Sequence, residues 1–482
     1  MRKTIVCLLA MVLLLTSFSM VASAAQPDRT YTYENNTPVP STNAYQVMTV
    51  VDEALMGTTR LADARDIFVD NSDRVFVVDS GNCRILVLDE NYKCIRELTE
   101  FKYGEEILTL AEGAEGVFFR ESNKQLYIAD TENDRIIVCD IDGNVSKIYT
   151  KPVDELLDPK VSFKPKKIVV DNMGIMYVTS GNINTGAMLI DYAGSFLGFY
   201  GTNKLKETAA MKAERMWRNL MKKAVSQVTF QPVEFNNIFW SEDRFVYTVS
   251  PLDESIVSSV SKLNALGTNV FPQAIDLYTL QKTRKLSSMT LNDITVDNEG
   301  AITIIDGASG HLFQYDEGCN LLAVFGGRGY QQGLFQKPIS LESDSKNRLL
   351  ILDGTKNTIT VMEQTFYGEM IRSANFLYNQ GLYYESIEPW MEVLRMNANY
   401  TQAYLGLGKA YVSLGEYEKA MEYFELGKDP DGYGEAKALL RDQIIRKNFA
   451  LVAAVVVIAM FTILGWDGIK SVYSKIYWRL QK

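Results

Sequence analysis

The chain has 482 residues, which is enough for two or three domains. It carries 59 acidic and 49 basic residues, and the formal net charge of −10 at pH 7 argues against a nucleic acid as partner. The single histidine excludes a catalytic centre that needs several imidazole groups.

The N-terminus has the pattern of a secretory signal peptide over residues 1–24. Two basic residues, an apolar core and a small-residue cleavage site follow one another, namely Arg2-Lys3, residues 5–15 and Ala22-Ser23-Ala24. The rest of the chain is therefore expected to be exported. Residues 25–43 are polar and contain Pro27, Pro38 and Pro40, and we expect an extended linker there.

A repeated pattern fills the next part of the chain. Its clearest copy, over residues 326–362, has a Gly-rich lead-in, an apolar run ending at Asp344, a tight turn and a second apolar run ending at Asp353. Equivalent copies end at Asp79, Asp130, Ser180, Ser250 and Asp306. A period of about 50 residues with several short strands per unit is typical of β-propeller blades. The aspartates are expected to be turn residues, because their side chains bond to nearby backbone N–H groups.

The six copies predict a mainly β fold, a six-bladed β-propeller over residues 44–367. The last copy offers only three strands before a helical pattern begins, and the alternating stretch 44–51 is predicted to supply the fourth. This pairing would join the two ends of the ring and remove an open sheet edge. The pattern resembles the NHL repeat, and the resemblance implies a propeller of the gluconolactonase/SMP-30 type.

A long interval between the third and fourth copies contains a predicted basic helix over residues 203–227. Its apolar residues recur at helical spacing, and seven of its other residues are lysine or arginine. Two interpretations stay open. The helix packs against the propeller, or it docks on a partner or an anionic membrane surface.

From residue 368 the periodicity is helical, and two copies of a pattern of about 34 residues align. Ala374 matches Gly408, Leu377 matches Tyr411, and Trp390 matches Phe424. The second copy resembles the tetratricopeptide (TPR) consensus, in which small residues let two helices approach and large ones fill the space between them. We expect two TPR repeats over 368–428 and a capping helix over 429–447.

Residues 448–466 are predicted to form a transmembrane helix. The part from Phe449 to Trp466 is uncharged and apolar, and as a helix it would be about 27 Å long, enough to cross the bilayer core. With a cleaved signal peptide, the expected product is a single-pass protein of the cell membrane. Most of the chain would be extracytoplasmic, and residues 467–482 would form a cytoplasmic tail.

Candidate binding residues lie where the innermost strand of each blade begins. Because these strands converge on the ring axis, their first side chains are expected to face one another at the channel mouth. The candidates are Arg65, Asp66, Glu115, Lys167, Asn237, Asn292 and Asp293.

The resemblance to gluconolactonase-like propellers implies a divalent cation in this channel, held by Glu, Asn and Asp. Here Glu115, Asn237 and Asp293 would supply oxygen ligands that suit calcium or another hard cation. The same ring could instead bind a polar ligand, with Arg65 and Lys167 as cationic counterparts, or form a solvated rim. His311 lies on a blade turn, and no Gly-x-Ser-x-Gly motif surrounds a serine, so no catalytic triad is expected.

These features favour a membrane-anchored extracytoplasmic binding or scaffold protein over an enzyme. Its propeller and TPR surfaces would recognise a membrane protein, a peptide or another ligand, as an accessory to a membrane transport or envelope complex. The alternative is a metal-dependent hydrolase of gluconolactonase type with its site at the channel mouth.

Overall fold

The computed structural model describes residues 30–34, 37–155, 157, 162–202, 233–252, 258–275, 277 and 289–480. The chain divides into two compact units, one ending at Arg372 and one beginning at Ser373. The predicted signal peptide and the predicted basic helix over 203–227 lie outside the described residues.

Six antiparallel sheets make the first unit a six-bladed β-propeller, which confirms the predicted fold. From the innermost strand outward, blade 1 contains Ala64–Val69, Val75–Asp79, Arg84–Leu88 and Cys94–Leu98. Blade 2 contains Gly116–Arg120, Gln125–Asp130, Arg135–Cys139 and Val145–Tyr149. Blade 3 contains Pro165–Val170, Met176–Ser180, Ala187–Ile190 and Phe196–Tyr200. In the same order, blade 4 contains Asn237–Trp240, Val246–Val249 and Val260–Leu263. Blade 5 contains Leu291–Val296, Ile302–Asp306, His311–Tyr315 and Leu321–Gly326. Blade 6 contains Pro338–Ser343, Leu349–Asp353, Thr358–Gln364 and Tyr45–Val51. A small hairpin, Phe101–Tyr103 with Glu106–Leu108, lies between blades 1 and 2.

The ring is closed as the strand count predicts. Tyr45–Val51 pairs antiparallel with Thr358–Gln364, so that Val51 lies opposite Ile359 and Tyr45 opposite Gln364. The outermost strand of blade 6 thus comes from the beginning of the described chain, and its other three strands come from the end of the repeat region.

The segment expected to be an extended linker differs from its prediction. Tyr31–Glu34 and Thr37–Pro40 form a hairpin, and Tyr31 pairs with Val324 on the outermost strand of blade 5. This hairpin covers a sheet edge that would otherwise present unpaired backbone groups. Its outer strand contains Pro38 and Pro40, which have no N–H group and therefore discourage further pairing.

The hydrophobic core lies between neighbouring blades. One layer joins blades 1 and 2, where the rings of Phe76 and Phe119 stack with their centroids 5.0 Å apart. Similar apolar layers join blade 6 to blade 1, blade 3 to its two neighbours, and blade 4 to blade 5. These layers bury both faces of most sheets, and the second strand of every blade is buried almost throughout.

The repeated aspartates have the turn role that the sequence predicts. In blade 1, Asp70 Oδ1 accepts hydrogen bonds from the N–H groups of Ser72 and Arg74, each at 2.9 Å. The first aspartates of blades 3, 5 and 6 accept the equivalent pairs. The second aspartate anchors the lead-in to the innermost strand, as when Asp79 accepts from Ala62 N at 2.7 Å.

Five of the six α-helices in the described chain follow the ring. The exception is α1 (Glu53–Met56), and the others are α2 (Phe366–Asn379), α3 (Tyr383–Met396), α4 (Thr401–Ser413), α5 (Tyr417–Leu426) and α6 (Pro430–Leu480). Gly408 packs against Phe424, because a Cβ at Gly408 would lie 2.6 Å from that ring. A small residue on α4 therefore lets α5 approach closely.

α6 is one continuous helix of 51 residues, about 77 Å long, where the sequence predicts three separate segments. Its first part packs Ala436 against Ala420 and Phe424 of α5. Its later apolar side chains are exposed, including Phe449, Ile458 and Trp466. Within the described chain, α6 is the one helix whose length and composition would allow it to cross a membrane, over Ala453–Leu480.

Arg372, at the end of the first unit, ties α2 to blade 5. Its guanidinium pairs with the buried carboxylate of Asp297 and lies 2.7 Å from Glu299 Oε2. In blades 1 and 6 the arginine four residues after the first aspartate makes this contact, as in Arg74 with Asp70. Blade 5 has Ala301 at that position, and an arginine from outside the repeats takes its place.

Replacing Arg372 by methionine should destabilise the propeller by about 3–5 kcal/mol, because the Asp297 carboxylate then stays buried without its cation. Chemical unfolding of the detergent-solubilised full chain measures this change. The control is Arg395→Met, which removes an exposed ion pair on α3 and should leave the unfolding midpoint unchanged. Equal midpoints for the two variants would contradict the anchoring role of Arg372.

Candidate functional site

The innermost strands share an irregularity where they approach the axis. In blades 1, 3, 5 and 6 the pairing with the second strand shifts by one residue, as between Ala64 and Asp66 and between Leu291 and Asp293. A shift of this kind changes the direction in which neighbouring side chains point. In blade 1, Asp66 and not Arg65 lines the centre, and in blade 5, Asp293 and not Asn292 does so.

Asp66 is the first of two buried carboxylates at the centre. It forms an ion pair with Lys167 of blade 3, accepts a hydrogen bond from Ser340 Oγ of blade 6 at 2.9 Å, and accepts another from Val117 N of blade 2 at 2.9 Å. Blade 2 has Gly116 at this level, where a Cβ would lie 2.1 Å from the Lys166 carbonyl oxygen. Lys167 of blade 3 therefore reaches Asp66 of blade 1 past Gly116 of blade 2, which has no side chain.

Asp293 joins the remaining blades in the same way. It accepts hydrogen bonds from the Asn237 side-chain amide of blade 4, from Leu341 N of blade 6 at 2.7 Å and from Ile294 N at 2.7 Å. Together the two carboxylates connect the innermost strands of all six blades. The centre of the ring is closed by a hydrogen-bonded plug that consists of Asp66, Lys167, Asn237, Asp293 and Ser340.

The other predicted residues lie around this plug. Asn292 donates to the Pro338 carbonyl oxygen of the next blade at 2.8 Å, so its amide joins two blades. Arg65 is partly exposed and pairs with Asp63. Glu115 is half-buried and lies near enough to Lys167 to act on its charge, but it does not line the central cavity.

A cavity of about 30 Å³ lies against the plug, lined by Asp66, Lys167, Asn237, Asp293 and Glu342 among others. That is room for a water molecule, far below the roughly 300 Å³ of a small-molecule site. Glu342 was missed by the sequence analysis. The available signal was its position two residues after Ser340, which in a strand places both side chains on the same face.

Burial controls the charges of this cluster. It raises the pKa of Asp293 to about 7, with Lys167 opposing the shift and Asp66 adding to it. Burial likewise raises the pKa of Glu342 well above its ordinary value, and the nearby Asp293 and Asp66 carboxylates act in the same direction. Burial alone would lower the pKa of Lys167, but Asp66 and Asp293 outweigh it and keep that pKa above its ordinary value.

The proposed cation ligands are not assembled as a set. Asn237 turns its amide nitrogen toward Asp293, and its oxygen accepts from Ile238 N at 2.6 Å. In the described part of the chain, no three His, Cys, Asp or Glu side chains are arranged to hold a metal. A divalent ion bound by Glu115, Asn237 and Asp293 does not fit this arrangement.

His311 has a place in the blade repeat. It lies five residues after Asp306, where blades 1 and 2 have Arg84 and Arg135 paired with their aspartates. Ser309 Oγ donates a hydrogen bond to the Asp306 carboxylate, and His311 Nδ1 lies 2.9 Å from Ser309 Oγ. Because the serine hydroxyl points to the carboxylate and not to the imidazole, these three residues form a turn and not a catalytic relay.

The similarities of this chain to known proteins are remote. No protein-family model and no curated sequence matches the chain. Among solved structures, a streptogramin B lyase is 10% identical with a TM-score of 0.40, covering 63% of this chain and 79% of that one. A Xanthomonas campestris gluconolactonase is 13% identical with a TM-score of 0.39, covering 67% and 97%. A Bacteroides thetaiotaomicron protein of unknown function is 12% identical with a TM-score of 0.41, covering 70% and 90%.

The fold and the site define a six-bladed β-propeller whose channel is filled by its own side chains. This description defines the fold of the protein and not an activity, since propellers support many functions.

The plug makes the stability of the propeller depend on pH. Asp293 holds its proton up to about pH 7 when folded, whereas an unfolded aspartate releases its proton near pH 4. Between these values only the unfolded chain loses the proton, so the free energy of unfolding falls as the pH rises. Glu342→Gln keeps the shape without the charge and should reduce this loss between about pH 5 and about pH 8. Thermal melting across that range measures it, and the exposed Glu90→Gln should leave the wild-type profile unchanged.

Calcium or manganese should leave the melting temperature of the purified protein unchanged, because the Asp293 carboxylate already accepts three hydrogen bonds. The measurement is a thermal melt with each ion and then with a chelator. A rise that the chelator reverses, and that Asp293→Ala abolishes, would instead support the metal-dependent hydrolase.

Proposed function

We propose that this protein is a membrane-anchored extracytoplasmic scaffold that binds a protein partner. Residues 1–24 direct export, the propeller and the helical hairpins lie outside the membrane, and α6 crosses it. Residues 467–482 are then cytoplasmic. The observation that carries the proposal is the apolar part of α6, whose exposed side chains cover every side of the helix.

The large apolar side chains of α6 are too exposed for a helix surrounded by water. Phe449, Phe461 and Trp466 are 66%, 73% and 60% exposed. Soluble proteins rarely expose an apolar surface of this extent without a partner or a membrane to cover it. A bilayer covers it completely, and a helix satisfies its own backbone hydrogen bonds there.

The filled channel supports binding over catalysis. The central side chains bond to one another, and the adjoining cavity of about 30 Å³ has room for water but not for a small-molecule substrate. A partner would therefore be recognised on outer surfaces. We propose that α2 to α5 are two TPR repeats, since Gly408 and Phe424 make the close contact that the consensus requires. TPR grooves bind peptides and helices.

Replacing Ile458 by arginine should impair membrane insertion, because a charge at the centre of a span costs about 2.5–3.5 kcal/mol. The assay is extraction of membranes with alkaline carbonate, which releases proteins that do not span. Ile445→Arg on the same helix is the control, because it lies before the span and is half exposed. Release of the wild-type protein by carbonate would refute the anchor.

Partner binding is tested in the intact chain by photo-cross-linking in native membranes. A reactive residue at Tyr384 on α3 or at Tyr330 on the propeller, both strongly exposed, should capture a membrane protein. Met173, which lies on a turn between two strands of blade 3 and is equally exposed, is the control position. Absence of an adduct at both tyrosines would contradict the scaffold proposal and leave the anchor untouched.

A further inference from the structure

α6 changes character at Trp466. Residues 449–466 have no charged side chain, whereas the following stretch to Leu480 contains one acid, Asp467, and three bases, Lys470, Lys475 and Arg479. Residues 449–466 can therefore face the hydrocarbon core of a bilayer on every side of the helix. That core does not accommodate three bases without cost, so the second stretch requires a different environment.

The stretch from Trp466 to Leu480 is two-faced. With successive residues about 100° apart around a helix, its side chains separate into an apolar arc and a polar arc. The apolar arc contains Trp466, Ile469, Val472, Tyr473, Ile476, Tyr477 and Leu480. The polar arc contains Asp467, Gly468, Ser471, Ser474, Lys475 and Arg479. Lys470 borders the apolar arc, and Trp478 lies within the polar arc.

The apolar arc is uncovered in the described protein. Ile469, Tyr473 and Leu480 are 65%, 72% and 83% exposed. An apolar face with aromatic residues, opposite a basic face, is the pattern of helices that lie in a membrane interface. Tyrosine and tryptophan favour the headgroup level, and lysine and arginine are attracted to anionic lipid.

We propose that residues 467–480 form an interfacial segment that binds anionic lipid headgroups on the side of the membrane opposite the propeller. This inference rests on the proposed anchor. The bases face phosphate groups and water, and the apolar arc enters the boundary with the acyl chains. Lys470 reaches the headgroups by extending its aliphatic stem along the apolar surface.

The segment can adopt this position only if α6 bends in the bilayer. A straight continuation would carry it about 21 Å beyond the span and leave its apolar arc in water. Gly465 and Gly468 lie at the junction, and no atom lies within 4 Å of a Cβ built at either. Glycines in close succession are common sites of helix bends, and nothing packed around these two opposes one.

Two tryptophan reporters in the full-length protein test the inference. Tyr473→Trp lies in the apolar arc and Ser471→Trp in the polar arc, and each is compared with the wild type in liposomes. Lipids that carry a nitroxide near the headgroup quench fluorescence at that depth. We expect stronger quenching at 473 than at 471 in bilayers that contain phosphatidylglycerol. The difference should be lost in phosphatidylcholine alone, and lost when Lys470, Lys475 and Arg479 are all replaced by glutamine.

The outcomes separate this inference from the anchor. If carbonate releases the protein, the proposed anchor fails and the interfacial segment fails with it. If the protein resists carbonate and the two reporters are quenched equally, or neither is quenched, the anchor stands and the interfacial segment is refuted. A quenching difference that is unchanged in phosphatidylcholine and in the triple variant overturns the role of anionic lipid.

Discussion

The pairing of Tyr45–Val51 with Thr358–Gln364 is the constraint on which the rest of the molecule depends. It joins parts of the chain that lie more than 300 residues apart in sequence, and the entropy of closing such a loop has to be offset by contacts formed around the ring. The closing strand also begins a buried cluster. The Tyr45 hydroxyl accepts from Gln314 of blade 5 at 2.8 Å and lies beside Arg372 of α2. Closure of the ring and the start of the C-terminal helices therefore depend on the same side chains.

The centre of the ring shows a second constraint, which bears on function. Six innermost strands bring polar groups to one axis, and buried polar groups must find partners. In this chain the partners are other blades. Asp66 and Asp293 accept backbone N–H groups from the next blade as well as side-chain donors, so their lone pairs are used within the fold. A channel stabilised in this way holds the blades together and leaves little for a ligand to bind. In the proposed scaffold, recognition therefore takes place on the outer surfaces and on the helices.

Much of this fold could be read from the sequence, and the parts that could not share a physical cause. The Asp70 turn and its equivalents are local, because each carboxylate bonds to amides two and four residues away, and their spacing revealed six blades. Closure followed from counting strands. The role of Arg372 was not predicted, since its partner Asp297 lies 75 residues away in sequence. The repeat itself shows only that blade 5 has no arginine four residues after Asp297. The strand starts that carry the predicted site residues lie around the axis, but at a register shift the sequence does not tell which side chain points inward. Asn292, predicted as a binding residue, donates to the Pro338 carbonyl oxygen, and Glu342, which lines the central cavity, was not predicted.

The C-terminal helix shows why charge is a poor guide to where a helix ends and a good guide to what surrounds it. The sequence analysis divided this region after residues 447 and 466, where the composition changes, into a capping helix, a transmembrane helix and a tail. No proline occurs between Asp431 and Leu480, and isolated glycines weaken a helix without ending it, so the backbone continues. What changes along α6 is the environment that its side chains require. Ala436 needs a protein neighbour, the residues around Ile458 need hydrocarbon on all sides, and those around Tyr473 need hydrocarbon on one side and anionic or aqueous surroundings on the other. Under the proposed anchor, α6 meets these three requirements in succession as it passes from protein into the bilayer and, after a bend near Gly465 and Gly468, reaches the opposite surface.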